Sequence, residues 1–333
     1  MVDVFQEPIT ADEIKEKARF FGADLVGIAD SAEINKNPPD PADPRVPSDI
    51  SDYDAGRVIV IGKRLSSGVT RIARWNERHK YYNDELTLTS LEEIALSLVL
   101  WLEQKGYPAL IVPPTHVDPW RYQGDPDKPM KPLLSLEHAA VEAGLGTLGL
   151  NRMLLTPEFG PRVMLTGVLS SVPVESGKRM EQALCLGPSC GRCLASCPGD
   201  VIKHWDRDWA ACDKYRSPHG FSQLTDFFGK MMDQPDPAKQ KAMLRSEDTF
   251  YLWESILRGA GVVTGCRRCQ DVCPVGNDYA MLKDALDVIA EDNDAKRARR
   301  AEMEAAEAKG ALPAAYHEQE RWIGKLGAKI DAK

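Results

Sequence analysis

Six of the eight cysteines fall into two copies of one pattern, Cys190-x2-Cys193-x3-Cys197-Pro198 and Cys266-x2-Cys269-x3-Cys273-Pro274. The same offset separates all three pairs, so the two runs form a pseudo-symmetric unit with an insertion between its halves. A C-x2-C-x3-C-P arc places several sulfurs around iron while the proline turns the chain away, and each [4Fe-4S] cubane needs four thiolates. Cys185 and Cys212 complete two such sets. In two-cluster ferredoxins the last cysteine of each run ligates the other cluster. That rule assigns Cys185, Cys190, Cys193 and Cys273 to a first cluster, and Cys197, Cys212, Cys266 and Cys269 to a second. Cys185 lies further upstream of Cys190 than the bacterial run would place it, and a loose loop around Gly187 and Pro188 has to bring its sulfur in. Zinc knuckles pair two C-x2-C hooks without the x3-C-P extension, and disulfide frameworks belong to small secreted domains.

At 333 residues and 43% hydrophobic content, the chain can bury two domain cores and carry a tail. Its 42 basic and 50 acidic residues give a net charge of −8, which argues against nucleic acid as a partner because no broad basic stripe faces phosphates. Reduced thiolates fit a reducing compartment. The opening Met1-Val2-Asp3-Val4 has no basic and apolar leader pattern and no twin arginine, and no segment approaches a membrane span. The expectation is a cytoplasmic protein with no membrane partner.

Thr10 and Glu13 form a capping box that predicts a helix to about Phe20, followed by a strand over 23–28. The Pro- and Asp-rich stretch from Asn35 to Asp54 predicts a surface loop. Strands are expected at 57–62, 110–112 and 163–168, with an amphipathic helix carrying Leu91, Ile94, Leu98 and Leu102. This alternation predicts an α/β domain packed on one sheet. Between the cysteine runs, Leu224, Phe227, Phe228, Tyr251, Trp253, Ile256 and Leu257 mark a helical insertion whose apolar residues are expected to cover the clusters. Beyond Gly276 the chain is rich in Ala, Glu, Lys and Arg, and Pro313 starts a last helix. Lys296-Arg297-Ala298 is read as a solvated helix face.

Gly144-Leu145-Gly146-Thr147-Leu148-Gly149 matches the letters of the dinucleotide fingerprint. That fingerprint follows a strand, whereas residues 136–142 here read as a helix, and no acidic residue stands at the ribose position. A nicotinamide site is therefore not expected. The glycines remain open to two readings, a structural turn or a loop facing a cofactor.

Taken together, Ala143-Gly144-Leu145-Gly146, Gly149, the run Thr156-Pro157-Glu158-Phe159-Gly160-Pro161-Arg162 and the doubled C-x2-C-x3-C-P resemble the cobalamin-dependent reductases, which include reductive dehalogenases and epoxyqueuosine reductase. The opening run 21–28 looks like that family's first helix and strand. The resemblance covers roughly residues 10–280 and implies an α+β architecture. On that resemblance a nitroreductase-like α/β cobalamin-binding domain (1–178) would precede a ferredoxin-like double-[4Fe-4S] domain with a helical insertion (179–280) and a helical tail (281–333). It implies base-off cobalamin lying between the two domains, fed with electrons by the clusters, with Gly144, Leu145, Gly146, Gly149 and Asn151 against the corrin and their backbone amides available to it. It also implies a low-potential donor such as ferredoxin or flavodoxin, and a small organic substrate.

The sequence departs from epoxyqueuosine reductase where that enzyme carries a proton-donating Asp before a Pro. Here the neighbourhood reads Lys128-Pro129-Met130-Lys131-Pro132, and the helical-repeat tail that helps hold transfer RNA is missing. Reductive dehalogenases use a Tyr assisted by a basic residue, which makes Tyr122 with Lys131 the candidate catalytic pair, ahead of His116 and His138. The rival reading is a cofactor-free electron carrier in which the α/β domain serves as a docking surface.

Overall fold

The computed structural model describes residues 5–71, 77–114, 131–216, 220–258, 266–282 and 291–326. Helix α1 (Ala11–Phe20) begins on the capping box: Thr10 N donates to Glu13 Oε2 at 2.7 Å and Glu13 N to Thr10 Oγ1 at 3.2 Å. There follow β1 (Leu25–Asp30), α2 (Ser31–Lys36), the proline-rich loop and β2 (Arg57–Arg64). The long helix α3 (Glu77–Gln104) leads to β3 (Ala109–Val112), and α4 (Leu136–Glu142) to a small hairpin of β4 (Thr147–Leu148) and β5 (Leu154–Leu155). Strand β6 (Val163–Ser170) closes this half.

The main sheet has the order β1-β2-β6-β3, and every neighbouring pair is antiparallel. Because β2 and β3 both oppose β6, they run parallel to each other, and α3 lies in the connection between them. Both faces of the sheet are covered, which explains why Val58 to Ile61 form an unbroken buried run rather than an alternating one. Ile59 and Ile61 meet α1 and α3 through Ile14, Leu91, Ile94 and Leu98. Val58 and Val60 face α4 through Leu136, Ala139 and Ala140.

That second core does not stop at the sheet. It continues through Leu194, Ile202 and Trp205 of the cysteine-bearing region to Tyr316 and Trp322 near the C-terminus. The cysteine runs are therefore seated on the same hydrophobic body that holds the sheet, which fixes their position relative to it.

Two sequence expectations change here. Phe227 and Leu252 of the insertion are buried, but Phe228, Trp253, Ile256 and Leu257 are exposed, so much of that apolar surface covers nothing among the described residues. Lys296, read as part of a solvated face, is buried, and its Nζ donates to Ala195 O at 3.0 Å and Cys197 O at 2.7 Å. The helix Asp294–Ala308 packs on the first cysteine run, and the helix Ala314–Ile323 returns to α4 and β4. Trp322 Nε1 donates to Glu142 Oε1 at 2.9 Å, and Arg321 binds the same carboxylate. The tail thus straps the two halves together. Among the described residues, no helix is long and apolar enough to cross a membrane.

Candidate metal centre

All eight thiols are free, and they divide around two hollows. Cys185, Cys190, Cys193 and Cys273 line the first, of about 360 Å³, with Leu150, Leu155 and Val275 completing its wall. Cys197, Cys212, Cys266 and Cys269 line the second, of about 320 Å³, together with Val201, Ile202 and Tyr215. The last cysteine of each run crosses to the other hollow. Among the described residues, no three His, Cys, Asp or Glu side chains are arranged to hold a single metal ion. Two four-sulfur, largely apolar hollows match the donor set that a cubane requires.

Local structure explains how the sulfurs arrive. The turn Gly187–Ser189 folds the chain back, and the amides of Leu150 and Gly187 donate to Cys185 Sγ at 3.3 and 3.4 Å. A short helix, Arg192–Ser196, carries Cys193, and Arg268–Asp271 carries Cys269 at the matching place in the second run. Burial pushes the Cys193 thiol well up, Cys269 up to about 11 and Cys273 up to about 12. Without a metal such thiols keep their protons, whereas cluster iron, if bound here, would supply the positive charge that makes them thiolates.

The second run is clamped by Arg162, at the start of β6. All five of its N–H donors are used: Nε and Nη2 reach Asp278 at 2.8 and 2.5 Å, Nη1 reaches Gln270 O and Cys273 O, and Nη2 also reaches Val275 O. Arg162 belongs to a motif that the sequence reading quoted without giving this residue a role. A second buried link joins α3 to the same run through Asp84, Arg267, Asp271 and Lys80. There burial pushes the Asp84 carboxyl up to about 6. Arg207 was also missed by the sequence reading. Its Nη2 donates to Cys212 Sγ at 2.6 Å and its Nη1 to Asn151 O at 3.1 Å.

The glycine loop follows α4, as the sequence indicated, and turns into the β4–β5 hairpin. The amides of Gly144, Leu145 and Gly149 bond to Val141 O, Ala140 O and Met153 O, and that of Leu150 to Cys185 Sγ. A side chain at Gly144 would lie 2.4 Å from Lys178 O, and one at Gly146 would lie 1.9 Å from Leu155 O. These glycines permit the chain to approach itself, and the loop leads to the wall of the first hollow, where Leu150 and Asn151 stand. Asn151 Nδ2 also donates to Cys269 O at 3.3 Å, so this residue lies between the two thiol sets.

Of the candidate proton donors, Tyr122 and His116 lie outside the described residues. Lys131 pairs with Asp43 at 2.9 Å and Asp40 at 3.3 Å on the proline-rich loop. His138 is enclosed under the C-terminal helix, bonded to Ser135 and Gln319 and set edge-on to Trp322. Burial holds its pKa down to about 3, so the ring is neutral and structural.

No protein-family model matches the chain. It is 28% identical over 162 residues to epoxyqueuosine reductase of Listeria monocytogenes, a stretch covering 46% of this chain and 35% of that enzyme. It is 36% identical over 69 residues to tetrachloroethene reductive dehalogenase of Sulfurospirillum multivorans, covering 20% of this chain and 14% of that one. This chain resembles the epoxyqueuosine reductase and reductive dehalogenase family. The catabolic reductive dehalogenase NpRdhA, solved in complex with 3-bromo-4-hydroxybenzoic acid, shares its fold. That match covers 94% of this chain and 37% of NpRdhA, with a TM-score of 0.50 at 16% identity. The chain spans about a third of the length of the epoxyqueuosine reductase it matches.

Proposed function

We propose that this chain is an iron-sulfur oxidoreductase in which two [4Fe-4S] clusters receive electrons from a low-potential donor and pass them to base-off cobalamin for reduction of a small organic substrate. The observation that carries the cluster part is the division of eight free thiols into two four-sulfur hollows, with the final cysteine of each run exchanged. Family resemblance supports the remainder, since the relatives are reductases.

Cobalamin, when bound, would supply the low-valent cobalt that reduces the substrate. In the loop from Gly144 to Asn151, the amides of Gly144, Leu145, Gly149 and Leu150 are already bonded within the chain, so they are not open to it. The relatives' names carry different substrates, epoxyqueuosine and tetrachloroethene, so likeness does not select one. The net charge of −8 favours a small molecule over transfer RNA.

The occupied glycine loop favours a second reading, a cofactor-free electron carrier that docks to a partner enzyme. Anaerobic purification followed by reconstitution with cobalamin separates the two. Stoichiometric cobalt retained with about eight irons per chain supports the reductase, whereas full iron without cobalt supports the carrier.

A further inference from the structure

The two hollows treat their sulfurs differently. In the first, the donors reaching Cys185 Sγ are neutral backbone amides at 3.3 and 3.4 Å. The nearby guanidinium groups there bond to carbonyl oxygens: Arg192 Nε to Val272 O and Arg162 Nη1 to Cys273 O. In the second hollow, a buried guanidinium touches a sulfur directly, with Arg207 Nη2 at 2.6 Å from Cys212 Sγ.

Arg207 is held in that pose from three sides. Its second terminal nitrogen is anchored on Asn151 O, its plane lies 4.4 Å from the ring centre of Trp209, and its own backbone bridges to Ile202 on the hollow's wall. The guanidinium carries its charge throughout, since arginine is not deprotonated in a protein.

A charge-assisted bond is roughly twice as strong as a neutral one. A fixed positive charge at a ligating sulfur stabilises the reduced, more negative cluster more than the oxidised one, because hydrogen bonds to sulfur and local charge set the potential. We propose that Arg207 is a positioning residue that raises the reduction potential of the second cluster above that of the first, so that the first electron added to the protein rests on the second cluster. This rests on the two-cluster reading given above. Each cluster takes up one electron from the external reductant, and no bond to cysteine is made or broken.

The test is a dithionite titration of the cluster-loaded chain followed by electron paramagnetic resonance, on the native protein and on R207Q and R207K. The native protein should show two separate one-electron steps, and C190S should abolish the lower one. In R207Q the upper step should move to lower potential by at least a tenfold change in its equilibrium, about 59 mV for one electron, while the other step stays in place. R207K keeps the charge but loses the planar fork, and its shift should be smaller and in the same direction. If R207Q fails to retain iron, the shift in R207K decides alone. A full complement of iron and sulfide with unmoved steps overturns the role of Arg207, while a native protein that holds no clusters overturns the reading beneath it.

Discussion

Arg162 and Asp278 form a two-pronged ion pair, Nε to Oδ2 at 2.8 Å and Nη2 to Oδ1 at 2.5 Å, almost fully removed from solvent. The pair joins the start of β6 to the segment just beyond Cys273, so the sheet and the second cysteine run hold each other in register. Removing one partner leaves a buried charge without its counterion, which costs about 3–5 kcal/mol. R162M and D278N should each lower the unfolding free energy from urea titration by that order, with a lower midpoint, and reduce iron retention. Native midpoints in both variants would show that the clamp carries no stability.

Gly160 makes the same junction possible at the level of the backbone. Its φ is +53°, and a β-carbon there would sit 2.0 Å from Val275 O. The obstacle is main chain, so it cannot rotate away, and G160A must push the Cys273-Pro274 turn outward. The expected result is a protein that keeps its helical circular dichroism but loses the cluster of the first hollow, read as roughly half the native iron. Native iron content in G160A would contradict the close approach.

The exchange of terminal cysteines predicts how single substitutions group. C273S should remove the same spectroscopic signal as C190S, although the two residues belong to different runs. C197S should behave like C269S. Grouping by run instead, with C273S resembling C269S, would mean that each run builds its own cluster.

Much of this arrangement was readable beforehand because it is local. The capping box at Thr10 and Glu13, the β-branched run at 58–61 and the spacing of Leu91, Ile94 and Leu98 are periodic or short-range signals, and the strands and helices appear where these signals place them. The cysteine spacing pointed to a long-range grouping of thiols, because ligand number and chain geometry leave few alternatives. What stayed hidden was side-chain pairing across the chain. Nothing in the neighbourhood of Lys296 distinguishes a buried lysine bonded to carbonyls from a solvated one. Arg162 and Arg207 likewise look like ordinary arginines until their distant partners are known. The glycine loop was ambiguous for the opposite reason, since close approach to a cofactor and close approach to Leu155 O ask for the same residue.

His138 gives the fold a pH dependence. Its ring is held down to about 3 in the folded chain by burial, against 6.5 for the ordinary group, so between these values the unfolded chain binds a proton that the folded one does not. The contribution is fully present above about pH 6.5 and is lost as pH falls toward 3, at no more than about 1.4 kcal/mol per pH unit. H138Q should therefore show a weaker fall in melting temperature between pH 7.5 and 5.5 than the native chain. Parallel curves would place the titrating group elsewhere.

The central claim is that eight cysteines hold two cubane clusters, and the most direct measurement is iron and acid-labile sulfide per chain after anaerobic reconstitution, paired with Mössbauer spectroscopy. The account predicts about eight irons and about eight sulfides in [4Fe-4S] form. Zinc at these sites, or cystine between these thiols under reducing conditions, would contradict it.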